Sequence, residues 1–239
     1  MATLSKTEEK PTAWPAEEYR FFAAIRNDDL EQVKLLAAQD ANNINAVAPK
    51  YPLDTRGMSP LQVALCTGLH KNIACYLLEH GADVNYCAER KLCDEAHPVL
   101  FDGICAAIWN ARRYEWDGKN IENLVWKHTK EESDEAFSFL RRMMEMGADV
   151  NWTDYCGRNA LMEAVSEANK LCPNRNPETG ADYPGHPITP EMREDFRRIF
   201  QLFIEAGADR NNRSCFSGMT IRQHYEEEPV WRICGDLFD

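Results

Sequence analysis

Apolar residues recur three and four positions apart along most of this chain, a spacing that places them on one face of an α-helix. The clearest such stripe is formed by Phe196, Ile199, Phe200 and Phe203. The two-residue alternation that marks a half-buried strand is not the dominant pattern. We therefore predict a mostly helical protein whose strands are limited to short hairpins in the finger loops that join one repeating unit to the next. In the second half of the chain, helices are predicted over residues 99–112, 133–146, 161–170 and 192–206.

The ends of the predicted helices carry a repeated signal. The sequence Gly-Ala-Asp-x-Asn follows a helix three times. The three copies lie at residues 81–85, 147–151 and 207–211. Glycine at this point takes the left-handed conformation that ends a helix, and the Asp and Asn after it are expected to satisfy their own backbone in a turn. Ser59, Asn159 and Thr220 precede helices and are placed to cap them.

This unit resembles the repeat of the ankyrin repeat family, in which a helix with the pattern G-x-T-P-L-H-x-A-A is followed by one that ends in L-L-x-x-G-A-D-V-N. Residues 57–85 fit it best, from Gly-Met-Ser-Pro-Leu at their start to Gly-Ala-Asp-Val-Asn at their end. Residues 151–165 match the loop and the helix that follows it, and residues 22–36 match in a degenerate form. The resemblance implies an all-α, ankyrin-type helical repeat solenoid of about five repeats, with degenerate terminal repeats.

The resemblance extends over about residues 16–238 and sets the expected domain organisation. Residues 1–15 are predicted to be a flexible segment, because they are polar and end in a stretch that contains proline. Residues 16–239 are predicted to be one ankyrin-repeat domain. Its repeats are expected at residues 16–56, 57–96, 97–156, 157–217 and 218–239.

The spacing of the repeats departs from the usual period of about 33 residues. Asn85 and Asn151 lie 66 positions apart, and Asn151 and Asn211 lie 60 apart. We interpret the excess as two long insertions, at residues 113–132 and 171–190, between the two helices of the third and of the fourth repeat. Because stacked repeats place equivalent positions side by side, the insertions are expected to touch. Their aromatic residues then either pack into an accessory lobe, shield the helix ends or bind a ligand. These aromatic residues are Tyr114, Trp116, Trp126 and Tyr183.

The composition limits which class of partner the protein is expected to bind and which cellular compartment it is expected to occupy. The 239 residues include 39 acidic and 27 basic side chains, and the net charge of −12 argues against nucleic acid or anionic lipid as the main partner. No segment approaches the roughly 20 apolar residues of a membrane helix, and no apolar run begins the chain. The nine cysteines contain no C-x-x-C pair, which favours reduced thiols in the cytoplasm over a zinc site. No cofactor or metal is predicted.

No catalytic motif stands out from the sequence. The patterns G-x-S-x-G, H-E-x-x-H, G-x-x-x-x-G-K-[ST] and G-x-G-x-x-G are all absent, so we expect a non-enzymatic protein. The family resemblance implies a module that binds another protein through its concave face and finger loops, and we expect it to be monomeric alone. The alternative is a cytoplasmic inhibitor or immunity-type protein that neutralises a basic toxin or enzyme, since an acidic protein suits a basic target. An enzyme with a site in the accessory lobe is the competing class.

The finger loop at residues 151–157 is the one in clean register with the family pattern. Asp154 occupies a position that usually holds the turn, so we assign it a structural role. Trp152 and Tyr155 have no core partner required by the repeat, and aromatic residues of this kind are typical interface residues. They are therefore predicted to contact a protein partner. The other interpretation is that they fold back onto the neighbouring fingers.

Four further residues complete the predicted protein-binding surface. Glu163 and Glu167 lie four positions apart on the next helix and so share one face. They are expected to extend an acidic strip beside the aromatic fingertip. Tyr51 and Tyr86 occupy the equivalent positions of the earlier fingers and are predicted to contribute to the same surface.

Overall fold

The computed structural model describes residues 16–49, 55–66, 69–88, 96–116, 124–173 and 187–239. These residues form ten α-helices. They are α1 (Ala16–Arg26), α2 (Leu30–Gln39), α3 (Pro60–Cys66), α4 (Lys71–Glu79), α5 (Val99–Trp109), α6 (Lys130–Glu145), α7 (Ala160–Leu171), α8 (Pro190–Glu205), α9 (Ile221–Tyr225) and α10 (Trp231–Cys234). Two strands, β1 (Arg113–Trp116) and β2 (Leu124–Lys127), and two 3₁₀ turns, Ala41–Asn45 and Gly235–Phe238, complete the described secondary structure.

The helices pack in consecutive pairs that form two layers. Helices α1, α3, α5 and α7 lie side by side in one layer, and each packs against the even-numbered helix that follows it. The space between the layers is filled by fully buried side chains such as Phe22, Leu77, Ile104 and Phe200. Burial of a large apolar side chain stabilises the fold by roughly 1.5–3 kcal/mol, so this continuous core is its main support. The predicted mostly helical repeat fold is confirmed.

The caps explain where the helices begin. Asn159 and Thr220 accept hydrogen bonds from the backbone at the start of α7 and α9, and the Ser59 hydroxyl accepts one from Gln62 N at 3.2 Å, as predicted. Helix α6 begins three residues before the predicted start, because Thr129 and Glu132 form a capping box that the apolar stripe does not reveal. Every predicted helix of the second half is present within three residues at either end.

Three asparagine side chains join successive helix pairs, and we call Asn45, Asn85 and Asn151 the asparagine ladder. Asn85 Nδ2 donates to the carbonyl of Gly147 at 2.9 Å, and Asn85 Oδ1 accepts from the backbone N–H of Asp149 at 2.8 Å. Asn45 and Asn151 make the same two bonds to the next Gly-Ala-Asp turn, at 3.0 and 2.8 Å. Each amide therefore fixes the loop of one helix pair to the loop of the next.

The aspartate of each turn orients the asparagine two positions later. Asp83 Oδ1 accepts from the backbone N–H of Asn85 at 2.9 Å, and Asp149 does the same for Asn151. The expectation that both residues satisfy their own backbone was therefore correct for the aspartate and wrong for the asparagine. The asparagine side chain bonds to the neighbouring turn instead. This contact cannot be predicted from the residues of one turn alone.

The paired strands lie in the first insertion, where no strand was predicted. Two fingers contain single antiparallel bridges, Cys87 with Pro98 and Arg213 with Thr220, as the predicted finger hairpins require. Strands β1 and β2 are antiparallel, with Tyr114 opposite Trp126. The two rings meet edge to face with centroids 4.8 Å apart. Aromatic pairs of this kind stabilise a two-stranded sheet. The Trp116 side chain and Tyr183 lie outside the described residues, so contact between the two insertions stays a prediction.

A buried ion pair holds the point where the chain leaves α5 for the hairpin. Asp195 of α8 accepts from Arg112 N at 2.9 Å, from Arg112 Nε at 3.0 Å and from Arg112 Nη2 at 2.8 Å. Burial alone raises the pKa of Asp195, but the hydrogen bonds from Arg112 outweigh it and hold the pKa below the ordinary aspartate range. The base of the insertion is thereby fixed to the neighbouring helix pair.

The C-terminal residues cover the last helix pair. Ile233 and Cys234 are fully buried, and Trp231 stacks on Phe238 with centroids 5.1 Å apart. These residues form the short helix α10 followed directly by the 3₁₀ turn Gly235–Phe238. Gly235 marks the change, because a Cβ there would lie 2.6 Å from Trp231 Nε1. The cap thus depends on close packing of an indole against backbone.

Replacement of Asn85 by alanine is expected to lower the free energy of unfolding by about 1–2 kcal/mol, because two inter-loop hydrogen bonds worth roughly 0.5–1.5 kcal/mol each are lost. Urea unfolding of the full chain measures this change. Asn211 is the matched control, since it follows the last Gly-Ala-Asp turn and its side chain makes no such bond to the described residues. Equal losses for Asn85→Ala and Asn211→Ala would contradict the role of the ladder.

Replacement of Asp195 by asparagine is expected to lower the free energy of unfolding by about 3 kcal/mol at neutral pH, because it leaves the buried Arg112 guanidinium without its main counter-ion. The pKa of Asp195 is lower in the folded chain than in the unfolded one, so its contribution is present above pH of about 4 and is lost as the pH falls through the folded value. The gap between wild type and variant should therefore narrow on acidification.

The control variant for the removal of the Asp195 charge is Asp134→Asn. The Asp134 side chain is 42% exposed and pairs with Arg198 and Lys130. Because solvent screens this partly exposed pair, its loss is expected to cost less than about 1 kcal/mol. Urea unfolding of the three proteins at neutral and acidic pH makes the comparison. A gap between wild type and the Asp195 variant that is independent of pH would show that the carboxylate charge is not what holds Arg112.

Candidate binding surface

The finger that follows Asn151 is held by one carboxylate. Asp154 Oδ1 accepts from the backbone N–H of Cys156 at 2.9 Å and of Arg158 at 2.8 Å, while Oδ2 accepts from Arg158 Nε at 2.9 Å and Nη2 at 2.7 Å. Gly157 turns the chain with φ of +74°, a conformation that favours glycine. Asp154 therefore has the structural role that the sequence predicts, and the fingertip is a preformed loop.

This finger is bonded to the next one, formed by residues 212–220. Cys215 N donates to the carbonyl of Cys156 at 2.8 Å, and Asn212 Nδ2 donates to the carbonyl of Gly157 at 2.8 Å. The rings of Tyr155 and Phe216 meet edge to face with centroids 6.3 Å apart. Tyr155 thus packs against the neighbouring finger, which is the alternative interpretation considered for it.

Large apolar side chains remain exposed on these two fingers. Trp152 is 43% exposed, Met219 is 43% exposed and Phe216 is 75% exposed. We call Trp152, Tyr155, Phe216 and Met219 the finger patch. Sequence reasoning found the first two and missed the others, because residues 212–217 do not follow the family pattern. The available signal was an aromatic residue set among small polar residues in a loop, in the segment Arg-Ser-Cys-Phe-Ser-Gly.

The predicted acidic strip on α7 is not on the surface. Glu163 and Glu167 are only 6% and 5% exposed. Glu163 Oε2 lies 2.6 Å from Arg158 Nη1, and Glu167 accepts from Trp109 Nε1 at 3.1 Å and pairs with Lys170. The expectation was wrong because a spacing of four defines one face of a helix but not the neighbour of that face, which here is α5.

Burial changes the protonation chemistry of this face. The pKa of Glu163 is raised, first because burial disfavours its charged form and then because Glu167 lies nearby, although Arg158 opposes the shift. Burial is also the main reason that the pKa of the Cys105 thiol is raised, so this thiol keeps its proton at neutral pH. The contact between α5 and α7 therefore disfavours negative charge on both Cys105 and Glu163.

The earlier fingers contribute less than the sequence predicted. Tyr86 is half-buried against the core, and its hydroxyl donates to the carbonyl of Gly57 at 2.5 Å. This bond fastens the second finger to the first. Tyr51 lies outside the described residues, so its part in a binding surface stays a prediction.

Two cavities lie along α5 on the side of the fingers. One of 200 Å³ lies between α5 and the finger of residues 152–157. Its lining includes Phe101, Asp102, Asp154, Tyr155, Arg158 and Glu163. The other, of 440 Å³, is lined on its apolar side by Leu65, Leu69, Ala106 and Trp109. Asp102 and Cys105 line both, so the two cavities are neighbours on one groove.

Asp102 is fixed at the junction of the two cavities. It accepts from Gln62 Nε2 at 3.1 Å, and its other partner is His97 Nε2, also at 3.1 Å. The His97 ring in turn stacks on Phe101 with centroids 6.3 Å apart. The carboxylate is thus held in place by residues from the loop before α5 and from α3.

Cys105, Glu163 and Glu167 bring three potential metal ligands within 4.8 Å of one another. Sequence spacing does not reveal this cluster, because the residues come from two helices. Structural zinc sites use four ligands with deprotonated thiolates. Here Glu163 and Glu167 already pair with Arg158 and Lys170, and the thiol is protonated. The cluster therefore does not fit a metal ion well.

Comparison with known proteins gives the family. Residues 14–87 match the family model for ankyrin repeats in three copies, and no curated protein matches the chain. The match covers α1 to α4, where the spacing of the turns is nearest to the family period. No helix of the described residues is long and apolar enough to cross a membrane. The helix pairs beyond the match carry the same Gly-Ala-Asp turns and are joined by the same asparagine ladder. The chain therefore contains ankyrin repeats over residues 14–87.

Proposed function

We propose that this protein is a non-enzymatic module that binds a protein partner through its concave face and finger loops. Ankyrin repeats are generally protein–protein interaction modules. The observation that carries the proposal is the finger patch, where Phe216 is 75% exposed and two more large apolar side chains are 43% exposed. Exposed apolar clusters on a rigid scaffold are typical of interaction sites, and aromatic residues supply much of the energy of such contacts.

The rigidity of the fingers supports the same proposal. The patch stands on loops that are held by Asp154, by Asn151 and by the bond between Cys215 and Cys156. A preformed surface loses little conformational entropy on binding, which favours affinity from a small number of contacts. We take the five helix pairs as five repeats, with α1–α2 and α9–α10 as the terminal ones and the insertions after α5 and α7.

The partner is expected to be a basic protein, because the chain carries a net charge of −12. Acidic surfaces raise the association rate with a basic partner and lower it with nucleic acid or anionic membranes. The same charge favours the narrower alternative of a cytoplasmic inhibitor or immunity-type protein that neutralises a basic toxin or enzyme. Loss of the partner's activity in the complex separates that alternative from a scaffold. No disulfide joins the cysteines among the described residues, which suits action in the reducing cytoplasm, and we expect the protein to be monomeric alone.

The double change Trp152→Ala with Phe216→Ala is expected to weaken partner binding about 30-fold or more, because it removes roughly 2 kcal/mol of interface contact. The partner is first captured with the full chain from native lysate, and its affinity is then measured by calorimetry. The melting temperature should change little, since Phe216 is 75% and Trp152 43% exposed and neither belongs to the core between the helix layers.

The matched control is Val125→Ala with Trp126→Ala. Val125 and Trp126 of β2 are 39% and 42% exposed, close to the 43% of Trp152. They belong to the hairpin and not to the fingers. Their loss is expected to leave the affinity unchanged. The opposite result, a loss of binding with the hairpin variant and none with the finger variant, would move the site to the insertion.

A further inference from the structure

We propose that the 200 Å³ cavity between α5 and the finger of residues 152–157, the acidic pocket, receives a lysine or arginine side chain of the protein partner. The inference rests on the proposed protein-binding function and specifies the chemistry of one contact within it. The main observation behind it is that the wall of this cavity contains more buried carboxylates than cations. The cavity lies beside the exposed finger patch.

The charges of the wall do not balance. Asp102, Asp154 and Glu163 are all more than nine-tenths buried, and Arg158 is the lining residue that carries a permanent positive charge. The Arg158 guanidinium gives two hydrogen bonds to Asp154. Glu163 Oε2 lies 2.6 Å from Arg158 Nη1, yet the oxygen receives no hydrogen bond from any described residue. The oxygen is therefore ion-paired with a guanidinium that it shares with Asp154, but it lacks a well-directed hydrogen bond, which a second cationic donor could supply.

The size and the lining of the pocket suit a single side chain. Its volume of 200 Å³ lies below the roughly 300–1,000 Å³ of sites for small molecules. Phe101 and Tyr155 are among its lining residues and offer aromatic surface to the methylene groups and the charged head of a lysine or arginine. Asp102, fixed by Gln62 and His97, supplies a carboxylate on the α5 side of the pocket.

The neighbouring cavity indicates how the partner segment continues. It shares Asp102 and Cys105 with the acidic pocket, and it offers apolar surface from Leu65, Leu69 and Ala106. A segment of the partner that crosses α5 would therefore place a cationic side chain in the acidic pocket and an apolar one in the next cavity. The occupant is thus a basic and apolar stretch of polypeptide that continues from the finger patch along the concave face.

The test uses small probes of one side chain each. Nα-acetyl-arginine amide and Nα-acetyl-lysine amide are titrated into the full-length, ¹⁵N-labelled protein, with the uncharged citrulline and norleucine counterparts as controls. We expect saturable shifts of the amide resonances at residues 101–105 and 154–163 with a cationic probe, and at least about tenfold weaker binding of its neutral counterpart. Equal binding of charged and neutral probes, shifts elsewhere in the chain or no saturable shift would overturn the proposal.

The variant Glu163→Gln is expected to weaken the cationic probe about tenfold and to leave the neutral probe unchanged. Glu167→Gln is the matched control, because Glu167 lies on the same helix and is equally buried but pairs with Lys170 and Trp109 outside the pocket. Its effect should be no more than about twofold. Equal effects of the two variants would overturn the pocket assignment. If Glu163→Gln does not fold, Asp102→Asn makes the same charge change on the opposite wall.

The captured partner separates this inference from the proposed function. A partner that binds wild type and Glu163→Gln equally, and that loses affinity with the finger variant, would overturn the acidic pocket and leave the protein-binding function standing. A partner that is insensitive to both changes would overturn both.

Discussion

The architecture depends on one bidentate contact, in which an asparagine amide satisfies a carbonyl and an N–H group of the next turn. Asn45, Asn85 and Asn151 each make this contact at the same place in the unit. The contact sets the distance between neighbouring helix pairs regardless of the number of residues between them. Because the entropy cost of closing a loop rises only slowly with its length, the chain accepts separations of 40, 66 and 60 residues without a change in stacking.

The same contact places the candidate site. Asn151 is the last residue before the finger that carries Trp152 and Tyr155, so the bond that joins two helix pairs also orients the fingertip. The next finger is then bonded to this one through Cys215 and Cys156. Exposed aromatic residues can be held in place here only because the loops beneath them are already fixed. Stability and binding geometry therefore come from one set of hydrogen bonds.

Local signals made most of the fold predictable. Glycine stops, helix caps and apolar stripes act within a few residues, and they gave the helices of the second half to within three residues. The parts that were missed depend on contacts between distant segments. Arg112 and Asp195 are 83 positions apart. The pairing of strands β1 and β2 had a local signal, the Asp117-Gly118 pair between them, that the prediction from apolar stripes did not use. Periodicity shows that residues share a face, but not which element covers that face.

The candidate site shows the same limit more sharply. The fingertip residues Trp152 and Tyr155 were found because the family pattern leaves them without a core partner. Glu163 was found for the wrong reason, since it was expected on the surface and instead lies in the wall of a cavity. Phe216 was missed because its loop follows no pattern. The burial of the Glu163 carboxylate could be predicted only if the position of its partner, Arg158, were known.

Coupling through the asparagine ladder links each helix pair to its immediate neighbours alone. A solenoid built in this way behaves as a one-dimensional chain in which each unit is stabilised by its own core and by its two interfaces. Its ends therefore open before its middle, and amide protons exchange in an order that follows position along the stack. A ligand that touches two adjacent fingers adds a connection between units that the fold joins through the shared core and the asparagine contact. The occupied protein would then exchange its amide protons as a larger cooperative unit than the free one.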